Sequence, residues 1–148
     1  MKFTISTKAS PDQVRRALTD FTDRRVQIWS QTLDARTYEV RGSGEGWAEA
    51  RESTVGSPFW VVARYDWSDP DAVRWTITES SYGGSGQGVV RSTPLAAGGS
   101  RVTAEWDYTD ARPLQKPLLL LIGHGPMRSL IARRWTTALD RFAQDDAR

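Results

Sequence analysis

"FWVVARYDWSDPDAVRWTITES", residues Phe59–Ser80, consists of two alternating runs around a four-residue break. In the first run Phe59, Val61, Ala63, Tyr65 and Trp67 alternate with Trp60, Val62, Arg64 and Asp66, the period of two that places successive side chains on opposite faces of a strand. The break "SDPD" carries the residues that make tight turns. In the second run Val73, Trp75, Ile77 and Glu79 keep one phase. A parallel pair needs a crossover of about a dozen residues, so this connection makes an antiparallel hairpin.

The same texture extends in both directions. Strands are expected near 36–41, 46–55, 59–67, 72–80, 86–94 and 100–109, divided by "GSGEG", "GSP", "SDPD", "YGGSG" and "AAGGS". Six strands linked by turns of this length form a meander. Before them, Phe3, Ile5 and Thr7 alternate with Lys2, Thr4, Ser6 and Lys8 as a further strand. "SPDQV" then opens a helix, with Ser10 as cap, Pro11 at its first position and Gln13 closing a capping box. Val14, Ala17, Leu18 and Phe21 give that helix a buried face, and a second short helix from near Thr22 or Asp23 buries Val26 and Trp29.

The chain ends in "PMRSLIARRWTTALDRFAQ", where Met127, Leu130, Ile131, Trp135, Ala138 and Phe142 share one arc of a helix. An antiparallel sheet and a long helix, each apolar on one side, bury those sides against each other. The expected fold is α+β, a single domain over residues 1–148: a curved antiparallel sheet of about seven strands around a long C-terminal helix, with two short helices between the first two strands.

Composition narrows the function. Among 148 residues there is no cysteine, which removes disulfides, thiolate nucleophiles and cysteine metal sites. One histidine leaves a metal almost entirely to carboxylates, so neither metal nor cofactor is expected. Twenty basic and eighteen acidic residues leave a net charge of only +2, and arginine pairs at 15–16, 24–25 and 133–134 read as solvated surface, so no nucleic-acid partner is expected. The glycine clusters lead into strands, unlike phosphate loops, which lead into helices. "MKFTISTKAS" lacks the apolar core of a secretory signal, so a cytoplasmic location is the default expectation.

"ASPDQVRRALTDF" followed by the tryptophan of "VQIWS", the "WSDPDAVRW" hairpin, and the "GGSRVTAEWDY" strand leading into the last helix together carry a resemblance. The chain resembles the START-like, helix-grip (SRPBCC) superfamily, which includes polyketide cyclase/dehydrase-type proteins and the plant pollen-allergen fold. The resemblance covers the whole chain and implies a cavity between sheet and C-terminal helix for lipids, polyketides or other apolar ligands.

Alternation then nominates the wall. Tyr65, Trp67, Trp75, Ile77, Glu79, Trp106 and Tyr108 face the helix if their strands alternate strictly. Leu119, Ile122 and His124 come from the segment before the helix, and Met127, Ile131, Arg134 and Trp135 from the helix itself. The strand at 46–55 leaves two choices. Either Ala48, Ala50 and Glu52 face inward and the alanines open space, or Trp47, Glu49 and Arg51 do and the pocket gains an ion pair. Arg134, at the edge of the helix's buried arc, suits a ligand carboxylate or enolate oxygen. His124 in "GHGP" is the natural base near neutral pH, but no nucleophile motif accompanies it.

"RPLQKPLLLLIGHGPMRSL", residues 112–130, is too short in apolar residues to span a bilayer. It reads as a lid, either a short helix over 117–122 ended by Gly123 or part of a kinked C-terminal helix, with Gly123 and Gly125 letting it move. The leading function is binding of a small hydrophobic ligand in a cavity of about 300–1,000 Å³. The alternatives are a polyketide cyclase/dehydratase-like enzyme, with Tyr65, Glu79, Tyr108, His124 and Arg134 as its candidate groups, and a macromolecular adaptor with a filled cavity.

Overall fold

The computed structural model describes residues 1–122 and 126–148, the side chain of residue 122 excepted. The elements are β1 (Lys2–Thr7), α1 (Pro11–Thr19), α2 (Arg25–Ile28), β2 (Glu39–Gly44), β3 (Trp47–Glu52), β4 (Val61–Asp66), β5 (Val73–Ser80), β6 (Ser85–Pro94), β7 (Ser100–Thr109), α3 (Lys116–Ile122) and α4 (Pro126–Asp146). All seven strands form one antiparallel sheet in the order β1-β7-β6-β5-β4-β3-β2. The meander thus runs from β7 back to β2, and β1 closes the other edge. The segment before α4 is helical over Lys116–Ile122, α3, and residues 123–125, on which the choice between a separate and a kinked helix depends, lie outside the described residues.

Local chemistry fixes the first helix. Ser10 accepts a hydrogen bond from the Gln13 N–H at 3.2 Å while the Ser10 N–H donates to Gln13 Oε1 at 2.9 Å, the reciprocal capping box read from "SPDQ". Val14, Ala17 and Leu18 are buried against the sheet and α4, whose own buried residues are Ile131, Ala138, Leu139 and Phe142. Met127 departs from the expected arc and is exposed, because the first turn of α4 extends past the sheet-facing core.

Polar clamps hold the helices in place. Thr7 donates to Asp140 Oδ1 at 2.6 Å and the Lys8 N–H to the same oxygen at 2.8 Å, tying the end of β1 to α4. Arg16 grips Asp146 with two nitrogens at 2.8 Å, and Gln13 donates to the same carboxylate at 2.9 Å, tying α1 to the end of α4. Asp146 therefore stays ionised well below the usual carboxylate range, chiefly through the Arg16 hydrogen bonds.

Two outcomes follow for solution. Thr7→Val removes a buried donor to a carboxylate and lowers unfolding free energy by about 1.5–3 kcal/mol in a denaturant titration. The Asp146 carboxylate is depressed in the folded state, so its contribution is present above the unfolded value of about 3.9 and lost as pH falls below it. Asp146→Asn therefore flattens the acid limb of the thermal midpoint against pH and lowers the midpoint at neutral pH.

Candidate functional site

The inner face of the sheet and the helices enclose a partly open cavity of about 200 Å³. Phe59 lies just before β4, the sheet supplies Val61, Ala63, Tyr65, Trp75, Ile77, Trp106 and Tyr108, α3 supplies Leu119, and α4 supplies Ile131 and Trp135. The volume is smaller than the sequence-based expectation because rings occupy much of the space. Tyr65, Trp75, Trp106, Trp135 and Trp29 form a chain with centroid separations of 5.7, 6.0, 6.1 and 5.0 Å. Phe3 meets Trp106 and Trp135 edge-on at 5.7 and 5.4 Å, so each ring is held by another at favourable aromatic spacing.

Backbone composition shapes this wall. Gly88 in β6 pairs with Trp75, and a Cβ at Gly88 would lie 2.2 Å from the Trp75 ring. Only glycine lets the indole lie flat on the neighbouring strand. In β3 the alanines face inward: Ala48 pairs with Tyr65 and Ala50 with Ala63, and both alanines are fully buried. Their small side chains leave the room in which Tyr65 reaches along the sheet.

That reach ends at Glu52, which shares the inward phase of Ala48 and Ala50. The alanine face therefore brings an ion pair with it. Arg25, the first residue of α2, donates from Nε to Glu52 Oε2 at 2.7 Å and from Nη1 to the Leu18 carbonyl at 2.9 Å, while the Tyr65 hydroxyl donates to Glu52 Oε1. The Arg25 guanidinium lies 4.0 Å from the Phe21 ring centroid and 5.2 Å from that of Tyr65. Burial opposes the Arg25 charge, but Glu52 and Tyr65 outweigh it and hold the guanidinium above its ordinary value. Burial first, then the Glu52 charge, pushes the Tyr65 phenol far above its ordinary value, so at neutral pH it is a hydrogen-bond donor. Thr32, Ser53, Thr54 and Ser57 add hydroxyls to the wall.

Sequence reasoning placed Arg25 among the solvated arginine pairs, whereas the structure buries it because Glu52 faces inward, and it left Glu52 undecided. A signal was present: Arg25 lies four residues before Trp29 on the buried side of α2, and an inward carboxylate calls for an inward cation. Tyr65, Trp75, Ile77, Trp106, Tyr108, Leu119, Ile131 and Trp135 line the cavity together. Four expected residues do not. Glu79 lies outside because the β4–β5 register shifts between Val62 and Ala63: Ala63 pairs with Ile77 but Val62 with Glu79. The extra residue, Thr78, turns Glu79 to the outer face, where it meets Arg41 at 3.2 Å. Trp67, beyond the end of β4, stacks on Phe21 at 5.8 Å. Met127 is exposed, and Arg134 faces a separate surface groove with Gln31, Val55, Leu130, Arg133 and Thr137. His124, the Ile122 side chain and the proposed hinges Gly123 and Gly125 lie outside the described residues.

Removing one member of a buried ion pair strands the other. Glu52→Leu alone therefore costs about 3–5 kcal/mol, whereas Arg25→Met with Glu52→Leu recovers most of that loss; urea unfolding of these two variants beside the unmodified protein checks both. Gly88→Ala drives the Trp75 ring off β6 into the cavity, which a shifted tryptophan emission maximum and a changed near-ultraviolet dichroism report.

No curated protein matches the sequence. Among solved structures the chain is similar to the Zhui aromatase/cyclase from a Streptomyces species, with TM-score 0.73 and 17% identity over 100% of this chain and 94% of that one. It is similar to a START superfamily protein from Mycobacterium smegmatis, with TM-score 0.73 and 11% identity over 98% and 97% of the two chains. It is also similar to norcoclaurine synthase from Thalictrum flavum in complex with dopamine and hydroxybenzaldehyde, with TM-score 0.69 and 12% identity over 98% and 86%. These likenesses establish a helix-grip fold. A family model matches residues 1–145, and on that match the chain belongs to the family described as polyketide cyclase / dehydrase and lipid transport.

Proposed function

We propose that this protein binds a small molecule of about one substituted aromatic ring, carrying oxygen at one end, in the cavity between sheet and α4. The carrying observation is the meeting of an aromatic wall with a single ionic cluster, Arg25, Glu52 and Tyr65, inside one cavity. Apolar cavities of about 150 Å³ take up benzene, so about 200 Å³ suits a ring with short substituents. The rings of Trp75, Trp106 and Trp135 offer stacking and edge contacts. At the polar end a ligand carbonyl or phenolate oxygen accepts from Arg25 and a ligand hydroxyl donates to Glu52.

Catalysis in the same cavity is the second reading, favoured by the presence of these ionisable groups against the ligand space. A cyclase- or dehydratase-like reaction needs a free base and an acid within hydrogen-bond reach. Glu52 has both oxygens engaged, one by Arg25 and one by Tyr65, and Tyr65 is held protonated. That arrangement suits holding an oxygenated ligand better than shuttling its protons, so binding is the primary reading.

The test uses native mass spectrometry of the purified protein, then tryptophan-fluorescence titration with phenols, aromatic ketones, quinones and fatty acids. Four tryptophans line the cavity, so occupancy reads directly in their emission. The expected result is saturable quenching by single-ring oxygenated probes, abolished by the cavity-filling Ala63→Leu and unchanged by Glu79→Gln on the outer face. Quenching that survives Ala63→Leu contradicts the reading. Conversion of a bound polyketone, lost in Glu52→Gln, establishes the catalytic alternative instead.

A further inference from the structure

Between Ala111 and Leu139 the chain carries five of its twenty basic residues and none of its eighteen acidic ones. Over the rest of the molecule acids outnumber bases by three. Among the described residues this acid-free stretch also holds most of the exposed large aliphatic side chains: Leu114 is 95% exposed, Leu121 69%, Leu120 61% and Leu118 41%.

The leucines are exposed for a geometric reason. Helix α3 has about two turns, and among its described side chains Leu119 is the buried one, against the cavity wall. Leu118, Leu120 and Leu121 flank or oppose Leu119 around the helix and point to solvent. Lys116 is exposed one turn before Leu120, and Arg128 is exposed in the first turn of α4. Arg112 lies across the β5–β6 turn at Gly83. Leucines with cations alongside, in a stretch of sequence without carboxylates, have the composition of a segment that lies in a membrane interface, apolar side chains among acyl chains and long basic stems reaching the headgroups.

We infer that α3 and its flanking cations form a docking face for an anionic lipid surface. No helix among the described residues is long and apolar enough to cross a membrane, so the contact is peripheral. A bilayer needs no matching surface, and its negative potential complements Arg112, Lys116 and Arg128 beside α3. Because Leu119 of the same helix lines the cavity, docking places the cavity wall against the lipid. The inference does not depend on what the cavity holds, since vesicles alone read it.

The experiment is co-sedimentation of the full-length protein with vesicles of equal phosphatidylglycerol and phosphatidylcholine, and with phosphatidylcholine alone. The expected result is binding to the anionic vesicles at low salt, at least tenfold weaker on the neutral ones, and falling as salt screens the cations. Leu120→Ser with Leu121→Ser weakens binding by at least tenfold, and Lys116→Glu with Arg128→Glu by about fivefold per cation removed or more. All four positions are exposed, and an unchanged unfolding midpoint verifies the fold. Should the serine variant misfold, the charge variant and the salt series still decide. Absence of binding to anionic vesicles at low salt overturns the inference, as does binding that neither variant weakens. Sedimentation velocity of the protein alone supplies a further arm: a dimer abolished by the leucine variant overturns lipid docking in favour of a second copy.

Discussion

Seven strands about 4.8 Å apart make a sheet about 29 Å across, whereas one α-helix with its side chains is about 10–12 Å wide. A single long helix therefore cannot cover the inner face of this sheet, even when the sheet curves. The remaining space must be filled by large side chains or left as a cavity, and this chain does both. Trp29, Trp75, Trp106 and Trp135 take up part of it, α3 closes over another part with Leu119, and about 200 Å³ remains. The site is thus a product of the architecture, and the aromatic residues determine its size.

The ionic cluster costs more and explains less about stability. Burying Arg25 and Glu52 takes two charges out of water, and a well-packed apolar pair often does as well or better. What the pair provides is definition. It fixes α2 against the end of β3, holds Tyr65 in one orientation through the hydroxyl, and leaves a polar end in an otherwise aromatic chamber. The insertion of α1 and α2 between β1 and β2 thereby delivers a cation to a place the sheet alone could not furnish.

The sheet was legible because its strands alternate cleanly and its breaks are short; the capping box at Ser10 and Gln13 was legible because it is a local signal. The cavity wall was mostly legible for the same reason, since Tyr65, Trp75, Ile77, Trp106 and Tyr108 keep strict phase. Glu79 was misplaced because a one-residue register shift reverses facing, and nothing in "TITES" announces it. Trp67 and Met127 sit beyond the ends of the periodic core, where alternation or helical phase no longer reports contact. Glu52 required knowing which face of β3 is inward, and Arg25 required knowing that Glu52 needed a partner. Both are tertiary facts, although each residue has the phase its position demands.

The central claim is that the gap between sheet and helix is a ligand chamber with an aromatic body and one polar end. A crystal structure of the protein soaked with phenol tests it most directly. The account predicts ring density among Trp75, Trp106 and Trp135, with the hydroxyl oxygen turned toward Arg25 and Glu52. A chamber closed by collapsed side chains, or filled only by ordered water with phenol elsewhere, would contradict it.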